Sequence, residues 1–378
     1  MNPEYTRRLR EIEEELALLV PDRCSAEWFG FVEGMNDSAG GAAGNLADAA
    51  GVDAVPANTA QSASTAAPDP LRLSFLESIL DPVRELLSRG GKRWRPVLMV
   101  CVCEMVGGDR RRALPLVPVV ELAHNGSLII DDIEDSAEYR RGGPAVHLMF
   151  GADTAINAGN FLYFFPALRI GEWEAADAER SAAYRIYMEC MSRLHLGQGL
   201  DIGWHRNHEP LPTETEYLRM CRFKTGSLAR MAAELGALAG GVGGAAERAR
   251  LGALAERIGL AFQIMDDVVN LTTGNPGKKR GDDIVEGKKS LPVLLYLSRR
   301  PEKREFLFQA FGSAAALGMD RAGGIVEEVI AELEGSGAVE EARRAAAGMM
   351  DEAASDLMER YRQSAARDLV IEMTRGFL

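Results

Sequence analysis

A dense acidic cluster lies on an apolar background at residues 128–135, Leu-Ile-Ile-Asp-Asp-Ile-Glu-Asp. On a helix, Asp131 and Asp135 are four residues apart and project from one face, and His124 lies two turns earlier on that face. The flanking isoleucines favour a mostly buried helix over the alternative, a solvated acidic face. Buried carboxylates must be paired or bound to metal. Because these ligands are oxygens, Mg²⁺ or Mn²⁺ is favoured over zinc.

A second cluster, residues 262–270, repeats the pattern as Phe-Gln-Ile-Met-Asp-Asp-Val-Val-Asn. Gln263 and Asp267 are four residues apart, as are Asp266 and Asn270, again on an apolar helix. Two acidic clusters on two helices favour a metal site between those helices.

Lysine and arginine residues lie near predicted turns close to both acidic clusters. Carboxylates interspersed with such cations are suited to binding a polyphosphate. The carboxylates hold Mg²⁺, the Mg²⁺ bridges phosphate oxygens, and lysine or arginine neutralises the remaining charge. These cations are Lys92, Arg93, Arg95, Arg140, Arg141, Lys224 beside Thr225, Lys278, Lys279, Lys288 and Lys289.

Two other motifs are excluded as sites. Residues 281–289, Gly-Asp-Asp-Ile-Val-Glu-Gly-Lys-Lys, have five residues between the glycines, and Lys289 stands where a P-loop needs Ser or Thr. The histidines other than His124 lack metal-ligand spacing to one another. A nucleotide-binding P-loop and a histidine metal site are therefore not expected.

Helical periodicity organises the chain. Residues 3–20 form one amphipathic helix with Leu9, Ile12, Leu16 and Leu19 on one face, which Pro21 ends. From residue 71 onwards, helical blocks are separated by Gly or Pro, without sustained alternation of period two. We predict an all-α protein, a single large domain of antiparallel helices with a central substrate cavity.

Residues 34–70 do not have the composition of a folded segment. They contain 12 Ala and 5 Gly, with no aromatic residue and no Lys or Arg. Such a segment cannot bury enough apolar surface to offset its ordering entropy. We predict a disordered insertion between residues 1–33, which supply the first helix of the domain, and residues 71–378, the catalytic helical domain.

Composition and charge restrict the function further. The 378 residues carry a net charge of −13, which argues against broad nucleic-acid binding. No uninterrupted apolar run approaches the length of a membrane span, and the N-terminus lacks a signal-peptide core. The five cysteines have no paired spacing, so that a disulfide framework is not expected. We expect a cytoplasmic protein.

Five motifs resemble those of the trans-isoprenyl diphosphate (polyprenyl) synthase family. They are Gly90-Gly-Lys-Arg-Trp-Arg-Pro96, Asp131-Asp-Ile-Glu-Asp135 with Arg140-Arg141-Gly142, Lys224-Thr225, Phe262-Gln-Ile-Met-Asp-Asp267 and Gly281-Asp-Asp-Ile-Val-Glu-Gly-Lys288. Their order and spacing follow the family from residue 71 to the C-terminus. The stretches from His124 and from Asp266 look most like geranylgeranyl diphosphate synthases, in which the second acidic motif likewise ends in Asn.

The resemblance implies a helical, usually homodimeric enzyme with the two acidic motifs facing each other across a deep cavity. It implies that Asp131 and Asp135 hold two Mg²⁺ ions and Asp266 a third. The catalytic group implied by the family is Asp131, Asp132, Asp135, Asp266, Lys224 and Arg140. The allylic diphosphate would be bound by Arg140, Lys224, Thr225, Gln263, Lys278 and Lys288, and isopentenyl diphosphate by Lys92, Arg95, His124 and Arg141.

The implied reaction is head-to-tail condensation of isopentenyl diphosphate with an allylic diphosphate through a carbocation, giving a linear prenyl diphosphate. We expect geranylgeranyl diphosphate, with farnesyl or a longer polyprenyl diphosphate as the alternative. A class I terpene cyclase needs no second diphosphate site, so that residues 90–96 and the Arg140–Arg141 pair argue against it. A non-catalytic partner subunit is disfavoured by the intact acidic and basic motifs.

Product length has its own candidate residues, Gly126 and Ser127. Ser127 lies one helical turn, about 5.4 Å, before Asp131 on the same face. Small side chains at this level leave a channel open for the prenyl tail, which favours a product of at least twenty carbons. The alternative is that the two small residues serve close packing between helices.

Overall fold

The computed structural model describes residues 2–23, 28, 70–206, 211–274 and 279–376. Its α-helices, numbered here in chain order, are α1 Pro3–Leu19, α2 Pro70–Ser88, α3 Trp94–Met105, α4 Val117–Glu134, α5 Val146–Phe150, α6 Ala152–Phe164, α7 Leu168–Glu172, α8 Asp177–Arg206, α9 Glu214–Cys221, α10 Ser227–Ala239, α11 Ala245–Leu271, α12 Asp282–Glu286, α13 Leu291–Arg299, α14 Arg304–Leu317, α15 Gly323–Gly335, α16 Ala338–Arg360 and α17 Ala365–Arg375. Short 3₁₀ turns cover Arg110–Arg112, Leu114–Leu116, Phe165–Ala167 and Pro301–Lys303, and a π-helical turn covers Arg222–Gly226.

The predicted all-α class is confirmed, with one small addition. Two strands, β1 Tyr139–Arg140 and β2 Gly143–Pro144, pair antiparallel just after the first acidic motif. A hairpin of two residues per strand has no room for the alternating pattern that indicates a strand in sequence. It nevertheless fixes the backbone at Arg140, one of the candidate site residues.

Helix α1 follows the predicted range closely and differs on its buried face. Asn2 caps the helix by accepting a hydrogen bond from the Glu4 backbone N–H. Ile12, Leu16 and Leu19 are buried, as predicted, but Leu9 is only partly buried and Arg8 takes the buried position beside it. The Arg8 guanidinium pairs with Glu104 on α3. A buried arginine is therefore tolerated here because its charge has a partner.

The apolar core consists of two clusters joined by α11. One surrounds α3, α4, α8 and α10 and reaches Ile258 of α11; the other begins at Leu260 and includes α13–α16. Helix α10 is buried along nearly its whole length. Since α11 passes through both clusters, its last turns, with the second acidic motif, are anchored in the second cluster.

The segment from Arg110 to Glu134, which includes α4, is long and apolar enough to cross a membrane by length and composition alone. The sequence pattern did not predict such a segment. Within the described residues, 67% of its qualifying 18-residue window is buried inside the protein, and a buried core helix meets the same criterion. We interpret α4 as the core helix that carries the first acidic motif.

The predicted insertion at residues 34–70 lies outside the described residues, except for Pro70, where α2 begins. The proposed division of the chain at this segment therefore stays a prediction.

We expect Gly236→Ala to lower the thermal midpoint, because α10 touches α3 at this glycine. A Cβ atom built on Gly236 would lie 2.3 Å from the carbonyl oxygen of Met99, so that the helices must move apart at a cost of about 1–3 kcal/mol. The control is Gly348→Ala on α16, where the added Cβ has open space and we expect a gain of up to about 1 kcal/mol. Equal midpoints for the two variants in thermal denaturation would contradict this.

Candidate active site

A cavity of about 500 Å³ opens where α3, α4, α8, α11 and the segments after α9 and α12 meet. Twelve residues predicted from the sequence line it, namely Lys92, Arg95, His124, Ser127, Asp131, Arg140, Arg141, Lys224, Thr225, Gln263, Asp266 and Lys288. Asp132, Asp135 and Gly126 do not line it, and Lys278 lies outside the described residues. The fold thus brings distant motifs to one cavity.

Asp131 is surrounded by donors. Its Oδ1 atom accepts hydrogen bonds from Lys224 Nζ at 3.0 Å and Gln198 Nε2 at 2.8 Å, and its Oδ2 lies 3.6 Å from Arg140 Nη2. Burial tends to raise the pKa of this carboxyl, but the charges of Lys224, Lys288 and Arg140 outweigh it and hold the pKa well below its usual range. Asp131 is therefore a charged ligand ready for a cation.

Asp132, also predicted to be catalytic, lies behind Arg140. It is fully buried and accepts a hydrogen bond from Arg140 Nε at 2.7 Å. Burial tends to lower the pKa of the Arg140 guanidinium, but the carboxylate of Asp132 raises it above its usual value. Asp132 therefore positions Arg140 from behind and does not face the cavity.

Asp135 is also set back from the cavity, because α4 ends at Glu134 and Asp135 caps it. Its Oδ2 lies 3.4 Å from Lys288 Nζ, and its side chain is almost completely buried. Burial raises the pKa of Asp135 to about 7, although Lys288 opposes the shift. The buried position agrees with the mostly buried helix expected from the sequence, and the role of Asp135 as a metal ligand stays a prediction.

The second acidic motif is held by a chain of hydrogen bonds. Thr225 Oγ1 donates to Gln263 Oε1 at 2.7 Å, and Gln263 Nε2 donates to Asp267 Oδ1 at 3.0 Å. Tyr217 OH donates to Asp267 Oδ2 at 2.5 Å. Burial raises the pKa of Asp267 to about 6. Thr225 and Gln263 thus orient Asp267, and both Asp267 and the neighbouring Asp266 line the cavity.

Lys224 connects the acidic motif on α4 with α8. Its Nζ contacts Asp131 Oδ1 at 3.0 Å and Asp201 Oδ2 at 2.6 Å. It lies in the π-helical turn, an irregularity frequent at functional sites. Gly197 makes the approach possible, since a Cβ there would lie 2.3 Å from the Lys224 backbone nitrogen.

Lys288 plays the corresponding role near the second motif. Its Nζ lies 3.4 Å from both Asp135 and Asp283 and also pairs with Glu286. Burial tends to lower the pKa of Lys288, but these carboxylates raise it well above its usual value. Lys288 therefore stays charged between the two acidic motifs.

Four site residues escaped the sequence analysis: Gln198 and Asp201 on α8, Tyr217 on α9 and Asp283 on α12. Gln198 bridges Asp131 and Glu134, at 2.8 and 2.7 Å. Asp201 is an isolated acid in an otherwise ordinary helix. Gly197 was a signal in the sequence, because a glycine inside a helix, followed closely by two polar residues, indicates that another chain segment approaches the helix closely.

The opposite end of the cavity is cationic. Arg95 Nη1 lies 3.3 Å from His124 Nε2. Burial lowers the pKa of Arg95 and of Arg141 to about 10, and it lowers the pKa of His124 well below its usual value. Arg95 Nε is buried without a hydrogen-bond partner among the described residues. Lys92 lies at this end too, so that the cluster suits an anion with several oxygens.

The two candidate chain-length residues differ. Ser127 lines the cavity, together with Tyr163 and His195, whose rings lie 4.9 Å apart. Gly126 faces α6 instead, because a Cβ there would lie 2.8 Å from the Gly159 carbonyl oxygen. Gly126 therefore serves helix packing, which is the alternative stated above, and the chain-length role of Ser127 stays a prediction.

Comparison with known proteins decides the family. The model of the polyprenyl synthetase family matches residues 76–325. This chain belongs to the polyprenyl synthetase family. It is therefore a prenyltransferase, and its acidic and basic motifs are those of a trans-prenyl diphosphate synthase.

Individual relatives agree with this assignment. A geranylgeranyl pyrophosphate synthase of Rhodocybe pseudopiperita is 39% identical over 245 residues, which cover 61% of this chain and 67% of the relative. A short chain isoprenyl diphosphate synthase of Methanothermobacter thermautotrophicus is 39% identical over 243 residues, covering 63% and 73%. The crystal structure of geranylgeranyl pyrophosphate synthetase from Pyrococcus horikoshii matches with a TM-score of 0.72 and 29% identity, covering 80% of this chain and 90% of that one.

Members of this prenyltransferase family are generally Mg²⁺-dependent, and the side chains fit that ion. The candidate ligands are carboxylate oxygens, with Asp131 held charged. Within the described residues, no three His, Cys, Asp or Glu side chains converge on one point as a closed metal site requires. Carboxylate oxygens suit Mg²⁺, which is usually bound by one or two carboxylates together with substrate phosphates.

Proposed function

We propose that this prenyltransferase condenses isopentenyl diphosphate with an allylic diphosphate and releases geranylgeranyl diphosphate. The observation that carries the proposal is the division of one cavity into two anion sites of different chemistry. Carboxylates interspersed with Lys224 and Lys288 form one end, and Arg95, Arg141 and Lys92 form the other. A terpene cyclase needs only the first.

The allylic diphosphate would bind at the acidic end. Asp131, Asp135 and Asp266 would hold Mg²⁺, which we propose to number three. When bound, Mg²⁺ neutralises the diphosphate and stabilises it as a leaving group. Arg140, Lys224 and Lys288 share that charge. Thr225 and Gln263 support the site through Asp267.

Isopentenyl diphosphate would bind at the cationic end, with its diphosphate on Lys92, Arg95, His124 and Arg141. A neutral His124 contributes a hydrogen bond and not a charge. The carbon–oxygen bond of the allylic substrate breaks, and the double bond of isopentenyl diphosphate attacks the allylic cation. The new carbon–carbon bond forms, and a proton is lost to the departing diphosphate. The apolar walls exclude water that would quench the cation.

The prenyl tail would run from Asp131 past Ser127. An isoprene unit is about as long as one helical turn of 5.4 Å, so that each further unit needs about one more turn of open channel. Ser127 leaves that level open, and the Tyr163–His195 pair borders the same cavity. The relatives named geranylgeranyl pyrophosphate synthase support a twenty-carbon product.

We also propose a homodimer. Large apolar side chains are exposed along α8, four or eight residues apart, at Tyr184, Met188, Leu196 and Leu200, and Phe164 is exposed at the end of α6. A group of exposed apolar side chains of this kind favours a protein interface. A twofold axis would bury it against its own copy.

A cytoplasmic location remains part of the proposal. Cys101, Cys103, Cys190 and Cys221 are buried and free. Buried thiols at these positions suit a reducing compartment.

We expect Asp131→Ala and Asp266→Ala each to lower kcat by about 10³-fold, the scale for losing a group that stabilises developing charge. Asp351→Ala, on the exposed surface of α16, is the matched control and should keep full activity. Product formation from isopentenyl diphosphate and each allylic starter, followed by mass spectrometry, measures this. Near-normal turnover of either site variant, with helical circular dichroism unchanged, would refute the Mg²⁺ assignment.

Ser127→Phe should shorten the main product to about fifteen carbons, because the ring blocks the channel one turn, about 5.4 Å, below Asp131. Turnover should persist, since among the described residues the Ser127 hydroxyl donates only to the His124 carbonyl oxygen. Chromatography of the dephosphorylated products gives the chain length. If the twenty-carbon product persists, Ser127 does not control length.

Met188→Glu should convert the dimer to a monomer, since it buries a charge in the proposed interface. Met358→Glu, on α16 outside this face, has a similarly exposed methionine and serves as control. Sedimentation velocity distinguishes the species. Two dimeric variants, or a monomeric wild-type chain, would contradict the α8 interface.

A further inference from the structure

Two arginines at the cationic end have unusual backbone conformations. Arg93 has φ of 48° and Arg141 has φ of 49°, in the left-handed region that side chains other than glycine rarely adopt. Arg93 immediately precedes α3, and Arg141 follows β1. Conformations of this kind persist where the surroundings hold them, and they occur often at functional sites.

The side chains of both arginines are tied to the same two residues of α4. Glu121 Oε1 accepts hydrogen bonds from Arg93 Nη1 at 2.9 Å and from Asn125 Nδ2 at 3.0 Å. Asn125 Oδ1 accepts a hydrogen bond from Arg141 Nη1 at 3.1 Å. Glu121 and Asn125 lie one helical turn apart, and both are buried. One buried pair therefore reaches both left-handed residues.

The two guanidinium groups lie side by side against the Gly91 turn. A Cβ built on Gly91 would lie 3.2 Å from Arg141 Nη2 and 3.3 Å from Arg93 Nη1. Like charges this close in a buried site repel each other, and a carboxylate beneath them offsets the repulsion. Glu121 also acts electrostatically on Arg95. Burial lowers the pKa of Arg95, and the negative charge of Glu121 opposes that shift.

We propose that Glu121, acting through Arg93 and Asn125, is a positioning residue for the diphosphate of isopentenyl diphosphate. It fixes the spacing of Arg93 and Arg141 before substrate arrives, so that binding does not have to order them. This inference rests on the proposed function, because it takes the cationic end to be the isopentenyl diphosphate site.

Two other roles for Glu121 make different predictions. A purely structural carboxylate would affect both substrates alike, through loss of folded protein. A carboxylate acting only through its charge would repel the incoming diphosphate, so that its removal would tighten binding. A positioning carboxylate weakens binding of isopentenyl diphosphate alone when its hydrogen bonds are removed.

The test compares Glu121→Leu, Glu121→Gln and Asn125→Ala. Leu removes both acceptor atoms, whereas Gln keeps one acceptor for Arg93 and Asn125 and loses the charge. The control is Glu104→Leu, which breaks the pair of another buried arginine, Arg8, away from the cavity. KM is measured separately for each substrate, and isopentenyl diphosphate is titrated calorimetrically without Mg²⁺.

Glu121→Leu should raise the KM and Kd for isopentenyl diphosphate about tenfold or more, the scale for hydrogen bonds to a charged group. The KM for the allylic diphosphate should stay within about twofold, the experimental scatter of a neutral change. Glu121→Gln should recover most of the loss, and Asn125→Ala should show a smaller selective rise. Glu104→Leu should leave both KM values unchanged.

An unchanged or lower KM for isopentenyl diphosphate in Glu121→Leu would overturn the proposal, as would equal effects of Leu and Gln. If Glu121→Leu does not fold, Asn125→Ala decides, and an unchanged KM in that variant overturns it. Failure of the proposed function looks different, because the wild-type enzyme itself would then form no prenyl diphosphate from any allylic starter.

Discussion

Charged groups that share a buried cavity remain charged only where each one faces a partner of opposite sign. Lys224, which pairs with both Asp131 and Asp201, is the clearest example in this protein. Without the lysine, two carboxylates would face each other at low dielectric, and one would take up a proton. Asp135, which lies 3.4 Å from Lys288, shows the tendency, since burial raises its pKa to about 7. The pattern of cations thus influences which carboxylates are charged before any metal ion binds.

Close helix packing makes these contacts possible. Gly197 lets α8 approach the π-helical turn that carries Lys224, and Gly126 lets α4 approach α6. A methyl group at either position would separate the helices by more than a hydrogen bond tolerates. The irregular backbone has the same purpose, because the π-helical turn and the β1–β2 hairpin place Lys224 and Arg140 beside Asp131.

Much of this site follows from sequence, because its acidic and basic residues lie in short motifs and the apolar residues around them predict buried helices. The motif pattern brought Asp131, Asp266 and Lys288 together correctly. The motif does not show where Asp132 points, because consecutive residues on a helix point in different directions, and only the tertiary structure shows that Asp132 meets Arg140. It missed Asp201 and Tyr217, since each is a single polar residue in an ordinary helix whose partner lies on another element. Burial shifts the pKa of Asp135 and Asp267, and burial depends on packing that spacing alone does not specify.

The two ends of the cavity are organised by opposite means. At the cationic end, Glu121 and Asn125 hold Arg93 and Arg141 from behind. At the acidic end, Lys224, Gln198 and Arg140 contact Asp131 directly, so that a metal ion must compete with them for the same oxygens. A ligand that brings its own phosphate oxygens offers those donors new acceptors, which makes metal and diphosphate binding mutually dependent at this end. The cationic end needs no such exchange, because its arginines are already arranged around the site. Under the proposed assignment, the energetic link between metal and substrate would therefore be confined to the half of the cavity where charge develops on the leaving group.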